Sequence, residues 1–242
     1  MYVTLTNIIK ATVVGVGHAP QTTDPLHEQD ADHTYIRGDI TNRSPPRDGK
    51  NLTMPQVQAA LMTALHMSEI ASASLTKALR PLVRDDGTFD LVDTRKHNVI
   101  EHDSSFTRLD FREGDNYTFQ PHMLQAMLDD ADGQTVTLRS LARTFIRRGK
   151  ESKAAGAPSL PINLWFVRML QAVGVRNSCQ VGDLSKEVLE AVFVEERFPD
   201  EVLQNTKPRT VFTLLGNALG MMFWVVVFIL VGEETSIPLK VD

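Results

Sequence analysis

Residues 101–108 read Glu-His-Asp-Ser-Ser-Phe-Thr-Arg, and the fold and the chemistry both turn on this octapeptide. Glu101 offers a hard carboxylate oxygen, and Ser105, four residues on, adds a hydroxyl. With backbone carbonyls, such a set suits an octahedral Mg2+ or Mn2+. His102 and Asp103 are adjacent, so the carboxylate can fix the tautomer of an imidazole beside a reacting centre. Taken alone, the octapeptide reads more simply as a surface turn with an ion pair to Arg108 or Arg112.

Outward from this stretch the pattern is helical. Thr53 is an expected N-cap, with Pro55 in the first turn. Val57, Leu61, Leu65, Met67, Ile70 and Leu75 then follow one stripe, predicting a helix to about Leu79 that Pro81 ends. Residues 85–116 are polar with scattered apolar positions and are expected to wrap the surface. Residues 120–130 and 137–148 read as helices, the second closing on basic residues suited to its dipole. Residues 149–159 read as a loop or linker, residues 164–173 as an apolar helix and residues 184–196 as an amphipathic one. Strand signals are few, so the expectation is a single, mostly α domain.

The chain has 242 residues and a net charge of −5. That acidic balance argues against a nucleic-acid binder, which needs a basic face. One cysteine, Cys179, excludes an intramolecular disulfide and a multi-cysteine metal site. Residues 1–20 show no apolar block of signal-peptide form, which predicts an intracellular protein. Residues 210–232 carry no charge. As a helix they would be long enough to span a bilayer as a tail anchor; a buried element broken at Gly216 and Gly220 is the alternative.

Three segments in order carry a resemblance. The octapeptide 101–108 resembles the EHD-x-S-x-x-R signature of the chloroperoxidase and unspecific-peroxygenase family of fungal haem-thiolate peroxidases. Pro46-Arg47-Asp48-Gly49-Lys50-Asn51-Leu52-Thr53 is similar to that family's PRDGxNIT segment. Val192-Phe193-Val194-Glu195-Glu196-Arg197-Phe198-Pro199 is similar to its FFxEERxP helix, and Thr213-Leu214-Leu215-Gly216 fits the segment beyond. The resemblance covers roughly residues 28–216 and implies an all-α, chloroperoxidase-like haem domain over 1–209, with 1–27 an N-terminal extension. It leaves 210–242 as an apolar segment packed on that domain or anchoring it. It further implies haem b as cofactor and a divalent cation, held by Glu101 and Ser105 near a haem propionate.

Two departures from the pattern matter. Where the family places its proximal cysteine, this chain has Asp32-His33-Thr34, and His33 is the expected axial ligand; His18 and His27 are nearby. The family also places an acid–base glutamate shortly before an aromatic pair. The pair here is Trp165-Phe166, and the glutamate position falls on Ile162 or Asn163, neither of which moves a proton. His102 and Asp103, with Glu101, are the expected catalytic substitutes, and Arg168 a weaker one. Trp165, Phe166 and Met169 would hold the haem and a small apolar substrate, unless they are plain core residues of a helix.

The functional expectation is peroxide-dependent oxidation of a small apolar molecule of the secondary-metabolite kind. Haem-iron Lewis-acid chemistry, such as dehydration, cyclisation or isomerisation, is the alternative. A non-enzymatic haem-binding or ligand-binding descendant and a membrane-anchored interaction protein are the readings from other classes.

Overall fold

A computed structural model describes residues 49–133, 135–179 and 182–232. His18, His27, His33, Pro46, Arg47, Asp48 and the 1–27 extension lie outside these residues. The described chain is mostly helical. Its first element is β1 (Leu52–Thr53), paired antiparallel with β2 (Thr88–Phe89). The helices are α1 (Met54–Leu65), α2 (Glu69–Lys77), α3 (Pro121–Asp129), α4 (Leu138–Ala154), α5 (Ile162–Ala172), α6 (Gly174–Cys179), α7 (Lys186–Phe193), α8 (Asp200–Leu203) and α9 (Val211–Val231).

Local chemistry explains most boundaries. Thr53 caps α1 as expected: its hydroxyl accepts from the Gln56 N–H at 3.4 Å, and the Gln56 side chain accepts from the Thr53 N–H at 2.9 Å. That reciprocal pair satisfies two donors which the first turn would otherwise leave open. The predicted single helix from 53 to 79 is in fact two. His66 takes a left-handed conformation (φ 47°), and Ser68 starts α2 by accepting from Ala71 N–H. The break is fixed from outside, because the chain at Met67 pairs in parallel with Arg209. Arg209 N–H donates to His66 O at 3.0 Å and Ser68 N–H to Arg209 O at 2.9 Å.

Two further expectations are corrected. Residues 149–154 continue α4 rather than forming a linker, since the charged side chains of Arg147, Arg148 and Glu151 pair along the helix. Residues 101–108 do not wrap the surface: every one of them is buried. At the other end, α9 runs unbroken through Gly216 and Gly220. A side chain at Gly220 would meet Leu138 Cδ1 at 2.9 Å, so this glycine lets α9 approach α4 closely.

The core gathers Leu52, Leu61, Leu65, Phe89, Ile100, Leu184, Leu189 and Met221, all buried. Each large side chain of this kind contributes about 1.5–3 kcal/mol by leaving water. α9 packs mainly on α4 and touches α5 and α6, while α1 packs on α2. Val136 and Leu184 exchange backbone hydrogen bonds of 2.8 and 3.0 Å, tying the start of α4 to the start of α7. The loop 97–116 runs between these elements, and its buried backbone must be satisfied by named side chains.

Candidate active site on the buried 97–116 loop

The loop turns sharply at two left-handed residues, Asn98 (φ 64°) and Ser104 (φ 65°). The first turn brings His97 alongside Glu101, with His97 Nδ1 2.5 Å from a Glu101 carboxylate oxygen. The His97 ring is itself stacked on Phe111, centroids 4.2 Å apart, which fixes its orientation. At the second turn, the Asp110 carboxylate accepts from Ser104 N–H at 2.7 Å. Arg148 of α4 then reaches in: its Nε donates to Ser105 O at 2.6 Å, and its guanidinium pairs with Asp110 at 3.1 Å. These contacts hold the octapeptide inside the molecule.

Within it, His97, Glu101 and Asp103 place one ligand atom each within 4.8 Å of one another. Burial pushes the Glu101 carboxyl above its ordinary range, and hydrogen bonds from His97 and Asn116 hold it back in part. Two carboxylates and an imidazole of this spacing fit a small divalent cation of the Mg2+ or Mn2+ type. The Ser105 hydroxyl donates to His102 O at 3.4 Å, whereas His97 joins the donor set.

His102 is fully buried. Its Nδ1 lies 2.7 Å from Asp103 O and its Nε2 3.0 Å from Gln171 Oε1, while the Gln171 amide donates onward to Ile100 O at 2.9 Å. Two acceptors on one ring favour the imidazolium. Burial opposes it more strongly, with the Arg168 charge adding to the effect, and the pKa falls to about 3. The imidazole is therefore neutral at ordinary pH. The Asp103 carboxylate, expected to orient this ring, instead accepts from Phe111 N–H at 2.9 Å; its backbone carbonyl does the orienting.

On α5, Met169 is buried, Trp165 half-buried and Phe166 about half exposed at 51 %. Trp165 and Phe166 meet edge to face, 5.5 Å between centroids. Ile162 and Asn163 are exposed in the first turn, so neither lines a buried pocket. Arg168 is buried with its guanidinium 3.7 Å from the centroid of Phe145 and donates to Phe145 O, so it braces α5 against α4. Burial and the nearby Arg148 lower its pKa to about 10.

A family model described as peroxidase, family 2, matches residues 45–209. The chain belongs to that family. Family 2 peroxidases have the chloroperoxidase-like helical fold, as the architecture here does, and membership places the chain among peroxidase-type oxidoreductases that work with haem or a metal. The match begins before the described residues and ends at Arg209, the residue that closes the α1–α2 joint. No curated protein matches the chain. Of the residues that shape this loop, His97, Asp110, Arg148 and Gln171 lie outside the sequence signature. Only His97 left a signal, its i, i+4 spacing to Glu101.

Proposed function

We propose that the chain is a peroxide-dependent oxidoreductase that binds haem b through His33 and acts on a small, largely apolar substrate. The observation that supports this best is the burial of the entire octapeptide 101–108 around the donor cluster. An ion-pairing surface turn has no reason to place Glu101, His102 and Asp103 at 2 % exposure or less. Haem, when bound, supplies the iron chemistry. The chain's own part is to orient and to handle protons. His102 stays neutral and is held in place between Asp103 O and Gln171. Glu101, its carboxyl pushed upward by burial, is the group better matched to move a proton at operating pH when no cation is bound to it. His97, Glu101 and Asp103 would hold a divalent cation and so fix the loop, and Trp165 and Phe166 would provide apolar surface for cofactor and substrate.

A second reading is non-redox chemistry with the iron as Lewis acid. The exposure of Ile162 and Asn163 favours it, because the family's acid–base position carries no proton-transfer group there. Protein reconstituted with haem separates the two. Peroxide consumption with a reducing substrate supports oxidation, and a histidine-type Soret band lost in His33→Ala, but kept in His18→Ala and His27→Ala, supports the axial ligand. Stable haem without peroxide turnover favours the Lewis-acid reading. Absence of stoichiometric haem overturns both.

A further inference from the structure

We infer that α9 is a membrane-surface helix, lying in the plane of an anionic bilayer with its outward apolar side in the boundary between headgroups and acyl chains. The helix has two sides. Ala218, Met221, Val225 and Phe228 are buried against the domain. Opposite them, Phe212, Leu219, Phe223, Val226 and Leu230 form one continuous stripe at helical spacing, between 51 and 84 % exposed. Polar residues do not offset it: residues 211–231 contain no charge. A surface stripe of this length on a soluble protein marks a contact with something apolar.

The charge around α9 points to what it meets. The chain is net acidic, yet α4 carries six cations against the single acid Glu151, and α5 and α6 add Arg168 and Arg176 and no acid. Arg147 and Arg148 are buried and pair with Glu151 and with Asp130 and Asp110, while Arg143 pairs with Asp132 and Arg176 with Asp183. The exposed cations of α4 are therefore Arg139, Lys150 and Lys153, together with Arg143 in its pair. Arg139, Arg143, Lys150 and Lys153 recur along one side of α4. Arg139 lies 5.4 Å from the Trp224 centroid and 5.6 Å from that of Phe228, and Arg143 5.7 Å from Phe228, so the first two members of this row border α9. An apolar helix side edged by a basic row is the pattern of helices that lie on anionic lipid.

The same packing sets the orientation. At about 1.5 Å per residue the helix is long enough to span a bilayer core. Its inward side, however, is held along its length by α4, where Gly220 touches Leu138 and two arginines cover Trp224 and Phe228. A transverse helix would drag those charges into hydrocarbon or strip α9 off the domain. Lying flat keeps both sides satisfied.

The test uses the full chain and sealed vesicles of phosphatidylcholine, with and without phosphatidylserine. Flotation is expected with the anionic vesicles, weakening as salt rises. Leu219→Glu with Phe223→Glu should reduce the bound fraction about tenfold or more with unchanged circular dichroism, since both side chains are exposed. Arg139→Gln with Lys150→Gln and Lys153→Gln should remove the preference for anionic lipid. An environment-sensitive label at Phe212→Cys, Phe223→Cys or Leu230→Cys, with native Cys179 buried, reads depth by quenching from spin-labelled lipids. Equal shallow depths support the proposal, and a deep maximum at Phe223 overturns it in favour of a span. Failure to bind either vesicle overturns it too; a dimer broken by the Leu219 and Phe223 changes would then make a second copy the occupant.

Discussion

Arg148 and Asp110 form an ion pair 3.1 Å long with side-chain exposures of 7 and 1 %. It joins the middle of α4 to the loop that carries the candidate site, and the same Asp110 oxygen also accepts from Ser104 N–H. Removing one member leaves the other charged and buried, which costs about 3–5 kcal/mol in comparable pairs. Asp110→Asn and Arg148→Met are each expected to lower stability by about that amount in urea unfolding. Arg148→Lys should not rescue, because a single ammonium cannot serve Ser105 O, Asp110 and Glu151 in their separate directions. A loss under about 1 kcal/mol would mean that the loop is held by other contacts.

His102 gives the fold a pH dependence with a definite sign. Its pKa is near 6.5 unfolded and about 3 folded, so between those values the unfolded chain binds a proton that the folded chain refuses. Stability from this group is full above about pH 6.5 and is lost as pH falls toward 3, by about 1.4 kcal/mol per unit. The carboxylates held low, Asp86, Asp90 and Asp115, act only below their ordinary pKa values. Glu101, held high by burial, contributes with the opposite sign just above its ordinary value. Denaturation measured at pH 7, 6 and 5 should therefore show a slope that His102→Asn removes. An identical slope in the variant would place the titration elsewhere.

The donor cluster predicts a specific metal dependence. Glu101→Gln and His97→Ala are each expected to lower bound Mn2+ or Mg2+ by at least tenfold, read by elemental analysis after dialysis against a defined metal concentration. Ser105→Ala should leave it nearly unchanged, because that hydroxyl serves the His102 carbonyl. A loss on Ser105→Ala with none on His97→Ala would restore the ligand pair expected from the sequence.

Cys179 has no exposed surface, and burial pushes its thiol up to about 12. The thiolate is the reactive form. Native protein should resist maleimide at neutral pH and react once unfolded by guanidinium; rapid labelling without unfolding would show that the end of α6 opens.

Local signals and distant ones differ in what the sequence discloses. Thr53, Pro55 and the apolar stripes fix the starts of α1 and α4 and both ends of α3, α5 and α7 to within a few residues, because caps and periodicity act over a turn or two. The break at His66 was hidden because its cause is Arg209, remote in sequence. Residues 101–108 looked solvent-facing for a related reason: their polarity is neutralised by Asp110, Arg148 and Gln171, which periodicity does not connect to them. Glu101, His102 and Asp103 are singled out by the signature, whereas the contact of Ser105 with His102 O and the contact of the Asp103 carbonyl with His102 depend on two left-handed turns.

Arg209 bears on how the chain reaches this state. Its backbone completes the joint between α1 and α2, and its buried guanidinium donates to Ser178 O, Asn205 O and Val202 O. One residue thus closes contacts among three stretches made at different times during synthesis. α1 and α2 emerge early, but the backbone hydrogen bonds at their joint form only once residue 209 arrives. Shortened chains that stop before it should be captured by chaperones or degraded, rather than accumulate as smaller, stable versions of the protein.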